Sequence, residues 1–317
     1  AEKMRKVFGW VLLFLMSTIV SFGQKAKPVF EVVPLGVYGG IDERNLSAYL
    51  VAPIGTKEYV CLDAGTVHSG IEKAIEKGTF SVPSSTVLRQ YIKGYCISHA
   101  HLDHVSGLII NSPADSTKTV YAIAPAMKMM QNHYFNDQTW ANFGDEGLGK
   151  PLKKYHFETL SFAKTIPISN TSMTVQAFPL SHVNPYESTA FLIKKDNNAI
   201  LYLGDTGPDS VEKTTNLADL WKAIAPLIQK QELKGILIEV SFPNEQPDAF
   251  LFGHLTPKHL MKEMQVLAAL TGKEALQKCK IIITHLKPPA TAIQKIKQQL
   301  AAPNDLGLTF VFKHVRW

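Results

Sequence analysis

The sequence predicts a layered α/β fold, and two observations carry this prediction. Short runs of β-branched and aromatic residues alternate with helical patterns over the whole chain. The chain has 317 residues, of which 45% are hydrophobic and 19% charged, so it can bury a large core and does not have the composition of a disordered protein. We therefore expect one large globular domain, residues 24–317, in which helices cover the sheets.

The predicted elements follow one another along the chain. The helix at 257–270 begins with Pro257, which suits a first helical turn because the missing N–H is not needed there. Residues 127–154, rich in aromatic and amide side chains, break the alternation and are expected to form a helical or loop insertion. The predicted strands are 48–52, 59–63, 95–98, 119–124, 173–180, 189–195, 199–205, 235–241, 280–285 and 307–315. The other predicted helices are 69–76, 84–91, 105–110, 211–230 and 291–300.

The first 23 residues have the parts of a secretory signal peptide. A charged start is followed by an apolar stretch and by small residues that suit cleavage before Gln24. The alternative is an uncleaved membrane anchor, but residues 7–22 would span roughly 24 Å as a helix, short of a ~30 Å hydrocarbon core. Residues 1–3 precede the expected initiator, Met4. We expect an exported protein, periplasmic or secreted, that is not held in the membrane after cleavage.

Charge and cysteine content exclude several classes of protein. The formal net charge of +6 is a weak basic bias, which argues against nucleic-acid binding and suits a small anionic substrate. The three cysteines, Cys61, Cys96 and Cys279, lack the spacing of a disulfide framework or of a thiolate metal site. Because each lies in a strand-like run, we expect all three to be buried.

The segment SHAHLDHVSGLII, residues 98–110, concentrates four potential metal ligands. His99 and His101 are two residues apart in an extended segment, so their imidazoles point the same way and can share one metal ion. Asp103 and His104 follow where the chain turns into a helix, and they face a second point nearby. The spacing therefore predicts two adjacent metal ions rather than one.

Three further ligands are predicted at the ends of later strands, where α/β sheets place functional residues. They are His182, Asp205 and His285. Two divalent ions with two carboxylates and a hydroxide leave a residual positive charge, which suits a phosphodiester. The first metal is expected to be held by His99, His101 and His182, the second by Asp103, His104 and His285, with Asp205 bridging them.

The motif and the blocks around it resemble a known family. HAHLDH, residues 99–104, is similar to the HxHxDH signature of the metallo-β-lactamase superfamily, and the longer run SHAHLDHVSGLIINSP resembles the signature of its class II cyclic-nucleotide phosphodiesterases. Further blocks of that family match in order over roughly residues 28–317, among them LDAGT, LGDTGPD, IEVSF, GHLTP and THLKP. The resemblance implies an αββα sandwich, two mixed sheets flanked by helices, with a dinuclear metal site of the zinc type.

The resemblance also implies a reaction: hydrolysis of 3′,5′-cyclic AMP, with cyclic GMP as a second candidate, to the 5′-nucleotide by a metal-bridging hydroxide. His254 in GHLTP resembles the histidine that lies near the leaving group, and Glu239 in IEVSF resembles the carboxylate that orients it. This carboxylate should fix one tautomer of His254 and raise its pKa, so that it can protonate the leaving oxygen. Asp103 counts among the catalytic residues as well as the ligands. Zinc is the expected metal, although manganese and iron accept the same ligands.

Other residues are candidates for the site only because of their position in the sequence. Asp63 is expected either to accept a hydrogen bond behind the metal loop or to form a turn. Tyr134, Trp140 and Phe143 of the insertion could stack on a nucleobase, or they could form the insertion's own small core. Surface or packing positions are expected for the remaining histidines, His68, His133, His156, His259 and His314.

Other functions are considered beside this one. The same metals could hydrolyse a lactone, an ester or a β-lactam, although such reactions have no need of the pair formed by Glu239 and His254. RNA 3′-end processing is disfavoured by the predicted export and the modest charge, and a non-catalytic binding protein by the complete set of ligands. The choice between cyclic AMP and cyclic GMP stays open, as does the oligomeric state, for which a homodimer is considered.

Overall fold

The computed structural model describes residues 28–302, 304–312 and 315–316. The predicted signal peptide, residues 1–23, lies outside these ranges, as does His314. Across the described ranges the strands form two sheets of seven strands each. No helix in the same ranges is both long and apolar enough to cross a membrane.

The elements follow one another in an order close to the predicted one. The strands are β1 (Phe30–Gly36), β2 (Ala48–Pro53), β3 (Tyr59–Leu62), β4 (Ile92–Cys96), β5 (Lys118–Ile123), β6 (Tyr155–Leu160), β7 (Thr165–Pro167), β8 (Thr174–Ser181), β9 (Glu187–Lys195), β10 (Asn198–Leu203), β11 (Leu233–Glu239), β12 (Lys280–Thr284), β13 (Phe310–Val311) and β14 (Val315–Arg316). The helices are α1 (His68–Glu76), α2 (Ser84–Thr86), α3 (Leu102–Asn111), α4 (Ala124–His133), α5 (Asp209–Glu212), α6 (Asn216–Gln229), α7 (Pro257–Thr271), α8 (Lys273–Gln277) and α9 (Ala290–Ala301). A π-helical turn (Val87–Tyr91) and a 3₁₀ turn (Asp248–Phe250) complete them.

Both sheets are mixed. The first has the order β14–β1–β2–β3–β4–β5–β6, antiparallel up to β3 and parallel from β3 to β6. The second has the order β13–β12–β11–β10–β9–β8–β7, parallel from β13 to β10 and antiparallel beyond. Strands β8, β10, β11 and β12 therefore all run in one direction, and their carboxyl ends meet at one edge of the second sheet.

The core is divided by the alternation of side chains along each strand. On β9, Phe191 and Ile193 belong to the core that the two sheets share. Their neighbours Ala190 and Leu192 pack instead with residues of α6, α7 and α9 on the outer face of the second sheet. Helices α1, α3 and α4 contribute to the core around the first sheet. The layers are thus helix, sheet, sheet and helix, which confirms the predicted αββα sandwich.

Several predicted boundaries differ from the observed ones. The predicted strand at 307–315 is two strands, because β13 pairs with β12 in the second sheet and β14 pairs with β1 in the first. The predicted helix at 211–230 is also divided, since Lys213 has a left-handed φ of 56° that ends α5. Strands β1, β6 and β7 were not predicted, and β1 contains Pro34, a residue unfavourable in strands. The insertion at 127–154 begins inside α4 and continues as a loop.

The three cysteines are buried and form no disulfide, as their spacing predicts.

Candidate metal centre

The HAHLDH motif joins β4 to α3 and brings its ligand atoms to two adjacent points. His99 Nε2 lies 3.1 Å from His101 Nδ1. Helix α3 begins at Leu102, three residues earlier than predicted, so that Asp103 and His104 lie in its first turn. The change from extended chain to helix within the motif separates the first pair of side chains from the second.

The three predicted strand-end ligands come to the same place. His182 follows β8, and its Nε2 lies 3.3 Å from His101 Nδ1. His285 follows β12, and its Nε2 lies 3.2 Å from Asp103 Oδ2. Each predicted set has ligand atoms within 4.8 Å of one another, the first being His99, His101 and His182 and the second Asp103, His104 and His285.

Asp205 lies between the two sets. It follows β10 and is buried. Its Oδ2 is 3.1 Å from His285 Nε2 and 3.3 Å from His104 Nε2 in the second set. The same oxygen is 3.8 Å from Nε2 of both His99 and His182 in the first set. One carboxylate oxygen thus faces imidazoles of both sets, which is the position a bridging ligand needs.

The donor set fits divalent metal ions. Burial lowers the pKa of His99, His182 and His285, so these imidazoles are neutral and able to act as ligands. Burial opposes ionisation of Asp205, but the nearby His285 and His104 outweigh it and hold the pKa of that carboxyl well below its usual range. Neutral imidazoles and an ionised carboxylate are the ligands that zinc and related metals prefer.

His104 differs from the other imidazoles and supports the same conclusion. Burial lowers its pKa, but Asp205 and Asp63 on either side outweigh burial and raise the pKa well above the usual value. Its Nε2 is nevertheless buried without a well-formed hydrogen bond to any residue of the described ranges. A divalent ion between His104 and the carboxylates would replace the proton and give this nitrogen a partner.

The buried carboxylate of Asp63 holds the HAHLDH motif in place by hydrogen bonds. Its Oδ2 accepts hydrogen bonds from His104 Nδ1, Ser98 Oγ and Tyr202 OH at 2.7, 2.7 and 2.5 Å, while Oδ1 accepts one from Ser98 N at 2.7 Å. Ser98 Oγ in turn lies 3.0 Å from His99 Nδ1 and can accept a hydrogen bond from it. The other ring nitrogen of His99, Nε2, is then free to bind a metal. Asp63 is thus a hydrogen-bond acceptor behind the metal loop, one of the two roles expected for it, and its φ of 52° is left-handed.

The second sheet uses a similar arrangement for His285. Ser241 Oγ donates to Glu239 Oε2 at 2.7 Å and lies 2.9 Å from His285 Nδ1. The hydroxyl has a single hydrogen, which it donates to Glu239. It therefore accepts a hydrogen bond from Nδ1–H of His285, and Nε2 of His285 is left for a metal. His182 Nδ1 donates to the carbonyl of Gly253 at 2.9 Å. A Cβ at Gly253 would lie 2.5 Å from that nitrogen, so the close approach requires glycine.

Glu239 and His254 form a buried pair beside Asp205. Glu239 Oε1 lies 2.7 Å from His254 Nδ1 and also accepts a hydrogen bond from Thr206 N at 3.1 Å. Burial, and next the charge of Asp205, raise the pKa of Glu239 to about 7. Burial lowers the pKa of His254 to about 4, so the expected upward shift of His254 is wrong. The raised pKa allows Glu239 to carry a proton beside Nδ1 of His254.

The three aromatic residues predicted to contact a base are not brought together. Tyr134 OH donates to the carbonyl of Ala100, between two ligands, at 2.8 Å. Trp140 Nε1 donates to Ser112 Oγ at 3.1 Å, just past the end of α3 that is remote from the motif. Phe143 packs against the core of the first sheet. The structure therefore places Tyr134 at the site, whereas Trp140 and Phe143 pack against the core of the first sheet.

Other residues at the site were not predicted. The ring of Tyr186 stacks on His101 with centroids 4.8 Å apart and an angle of 14° between the planes. Phe242 lies 5.8 Å from the His254 ring, and Lys287 Nζ lies 5.8 Å from the Phe242 ring. No local pattern in the sequence marks these residues. Of the described histidines expected outside the site, exposed positions are found for His68, His133 and His156 and a buried one for His259.

Comparisons with known proteins agree with this geometry. The family model for class-II cAMP phosphodiesterases matches residues 29–314. The chain is 42% identical over 316 residues to a 3′,5′-cyclic-nucleotide phosphodiesterase of Aliivibrio fischeri, with 95% of each chain covered.

Two solved structures share the fold. Unliganded yeast PDE1 superposes with a TM-score of 0.81 at 23% identity, over 92% of this chain and 99% of that one. The metallo-β-lactamase fold protein YhfI of Bacillus subtilis gives a TM-score of 0.61 at 15% identity, over 92% and 99%. These likenesses confirm the sandwich as a metallo-β-lactamase fold. Because the family model spans most of its length, the chain belongs to the class-II cAMP phosphodiesterases.

Proposed function

We propose that the protein hydrolyses 3′,5′-cyclic AMP to 5′-AMP with two divalent ions bound at the metal centre. The observation that carries this proposal is the position of Asp205 Oδ2, within 3.8 Å of imidazoles from both ligand sets. Family membership and the name of the Aliivibrio fischeri relative support the substrate class. That name covers cyclic nucleotides in general, so cyclic GMP is the second substrate to try.

The two ligand sets define what the metals would contribute. One ion would be held by His99, His101 and His182. The other would be held by Asp103, His104 and His285, and Asp205 would be shared by the two sets. Two divalent ions bound by these residues would polarise a phosphoryl oxygen and lower the pKa of a bound water. We propose zinc because imidazole and carboxylate ligands suit it, with manganese or iron as alternatives.

His254 is placed to supply the proton for the leaving group. Glu239 lies against Nδ1 of His254, so the other ring nitrogen, Nε2, is left to face a substrate. As the bond between phosphorus and the 3′ oxygen breaks, Nε2 gives its proton to that oxygen. Glu239 can pass its own proton to Nδ1 at the same time, which leaves a neutral imidazole and an ionised carboxylate.

We also propose that the protein acts outside the cytoplasm, in the periplasm or as a secreted enzyme. The support is the charged start, apolar stretch and small residues within residues 1–23. Removal of this segment after export would leave a protein without a membrane attachment there.

The first experiment is to identify the product that purified, zinc-loaded protein makes from 3′,5′-cyclic AMP, with a chelated sample alongside. We expect 5′-AMP, no product after chelation, and recovery when zinc is restored. Formation of 3′-AMP would mean that the 5′ oxygen leaves, which would contradict the role of His254. Lack of turnover with two metals bound would refute the cyclic-nucleotide assignment, and lactones and β-lactams would be tested next.

A further inference from the structure

A cleft of ≈ 400 Å³ adjoins the loops that carry His182 and His254. Its lining includes Val183, which follows the ligand His182, and Phe252 and Gly253, which precede His254. The hydrogen bond from His182 Nδ1 to the carbonyl of Gly253 joins these two segments. The cleft therefore lies between the end of α5 and the two loops that present a ligand and the proposed proton donor.

Two exposed apolar residues of this cleft have a left-handed backbone. Val183 and Phe252 have φ values of 58° and 52°, a region that β-branched and bulky residues rarely adopt. Their side chains are 54% and 61% exposed, so burial returns little of the free energy that the conformation costs. Lys213, with a φ of 56°, lines the same cleft. The cleft therefore presents an exposed aromatic ring next to the loop that carries the proposed proton donor.

The proposed reaction favours this cleft. If His254 protonates the 3′ oxygen, the ribose lies beside His254, and a base attached to that ribose can extend over the adjoining loop. Phe252 is two residues before His254 and exposes its ring there. A second cleft of ≈ 440 Å³ is lined by Ile41, Leu102 and Asp103 and adjoins the second ligand set instead.

We propose that the cleft between Val183 and Phe252 binds the nucleobase of the substrate, with the Phe252 ring stacked on the base. This inference depends on the proposed function, because the bound phosphate and the leaving oxygen fix where the base lies. The polar lining of the cleft comprises Asn184, Glu212, Lys213 and Asp248, and the Asn184 amide donates to the carbonyl of Glu212. Stacking on an aromatic ring tolerates any base, so Phe252 alone would not separate adenine from guanine.

The test compares Phe252→Ala with Phe252→Tyr and with a matched control, Ile41→Ala. Ile41 is also exposed, at 81%, and has a φ of 49°, but it lines the other cleft. We expect Phe252→Ala to raise KM for cyclic AMP roughly tenfold with little change in kcat, as loss of base stacking predicts. Phe252→Tyr and Ile41→Ala should keep the wild-type KM.

Product inhibition separates a base subsite from a merely structural role. Wild-type enzyme should be inhibited more strongly by 5′-AMP than by ribose 5-phosphate, and Phe252→Ala should remove that preference. Phe252→Gly, which relieves the left-handed strain, should raise KM without lowering Tm. These results together would support the subsite.

Two kinetic outcomes would overturn the proposal. Equal weakening of both inhibitors would show that Phe252 acts on the sugar phosphate or on the fold. A raised KM in Ile41→Ala, with Phe252→Ala unchanged, would place the base in the other cleft. If the wild-type protein does not hydrolyse cyclic AMP at all, the proposed function fails. Calorimetry of the zinc-loaded protein with 5′-AMP and ribose 5-phosphate would still test the cleft, and equal affinities would reject it.

Discussion

The two sheets build their halves of the metal centre in different ways. The first sheet provides four candidate ligands from one short segment, 99–104, which follows β4. The second sheet provides His182, Asp205 and His285 from three separate strand ends. In the first half, adjacency along the chain brings the ligands together. In the second half it is the common direction of β8, β10 and β12, whose carboxyl ends meet at one edge.

The two halves also differ in how their ligands are fixed. Asp63 contacts His104 directly and reaches His99 through Ser98, so one buried carboxylate supports two ligands of the motif. In the second half each histidine has its own partner, since His182 donates to a backbone carbonyl and His285 to a serine hydroxyl. A single change should therefore disturb more of the first half than of the second, except at Asp205, where the halves meet.

The largest effect is expected from Asp205→Ala. Because its Oδ2 faces imidazoles of both sets, its loss should lower metal occupancy in both and abolish turnover of cyclic AMP. Metal content by mass spectrometry, measured beside activity, would test this. Asp196→Ala is a suitable control, since Asp196 is an exposed carboxylate paired with Lys195 on the same sheet. Full occupancy in Asp205→Ala would contradict the bridging position.

His254→Ala should separate chemistry from metal binding. The side chain lies outside both predicted ligand sets, so the variant should keep its metals. Loss of a proton donor should lower kcat by about 10²–10⁴, the range typical of general acid catalysis. A variant with normal kcat would reject His254 as the donor, and one without metals would make it a ligand instead.

The difference between the halves also explains what could be predicted from the sequence. The HAHLDH spacing predicts two metal ions, because strand and helix geometry determine the directions of side chains that are only a few residues apart. Asp205 and His285 could be placed because apolar runs mark where their strands end and the family resemblance connects them. Tyr186 and Tyr202 could not, since their contacts depend on how separate strands and sheets pack against each other.

Other differences have the same physical origin. The sequence identified aromatic residues in the insertion but not which of them face the site, because that depends on the path of a loop. The sequence predicts that His254 pairs with Glu239. It does not predict the direction of the pKa shift of His254, because the extent of burial is a property of the packed fold. The sequence predicts one C-terminal strand where the structure has two short ones, because composition does not show which sheet edge each strand joins.

The smallest effects compare the two supporting networks directly. Asp63→Asn should weaken metal binding more than Ser241→Ala, because Asp63 supports two ligands and Ser241 supports one. Changes to such hydrogen-bond partners typically cost about 10- to 100-fold in metal affinity. We expect Asp63→Asn near the upper end, with weakened binding in both ligand sets, and Ser241→Ala near the lower end.

Competition with a chromophoric chelator measures both affinities on the same zinc-loaded protein. Ser98→Ala is the matched variant for Ser241→Ala, since each serine lies between a buried carboxylate and the Nδ1 atom of one ligand histidine. The two serine variants should therefore lose similar affinity, in one ligand set each. A loss in Ser241→Ala as large as that in Asp63→Asn would mean that the second half also depends on a shared support, with Glu239 in the place of Asp63.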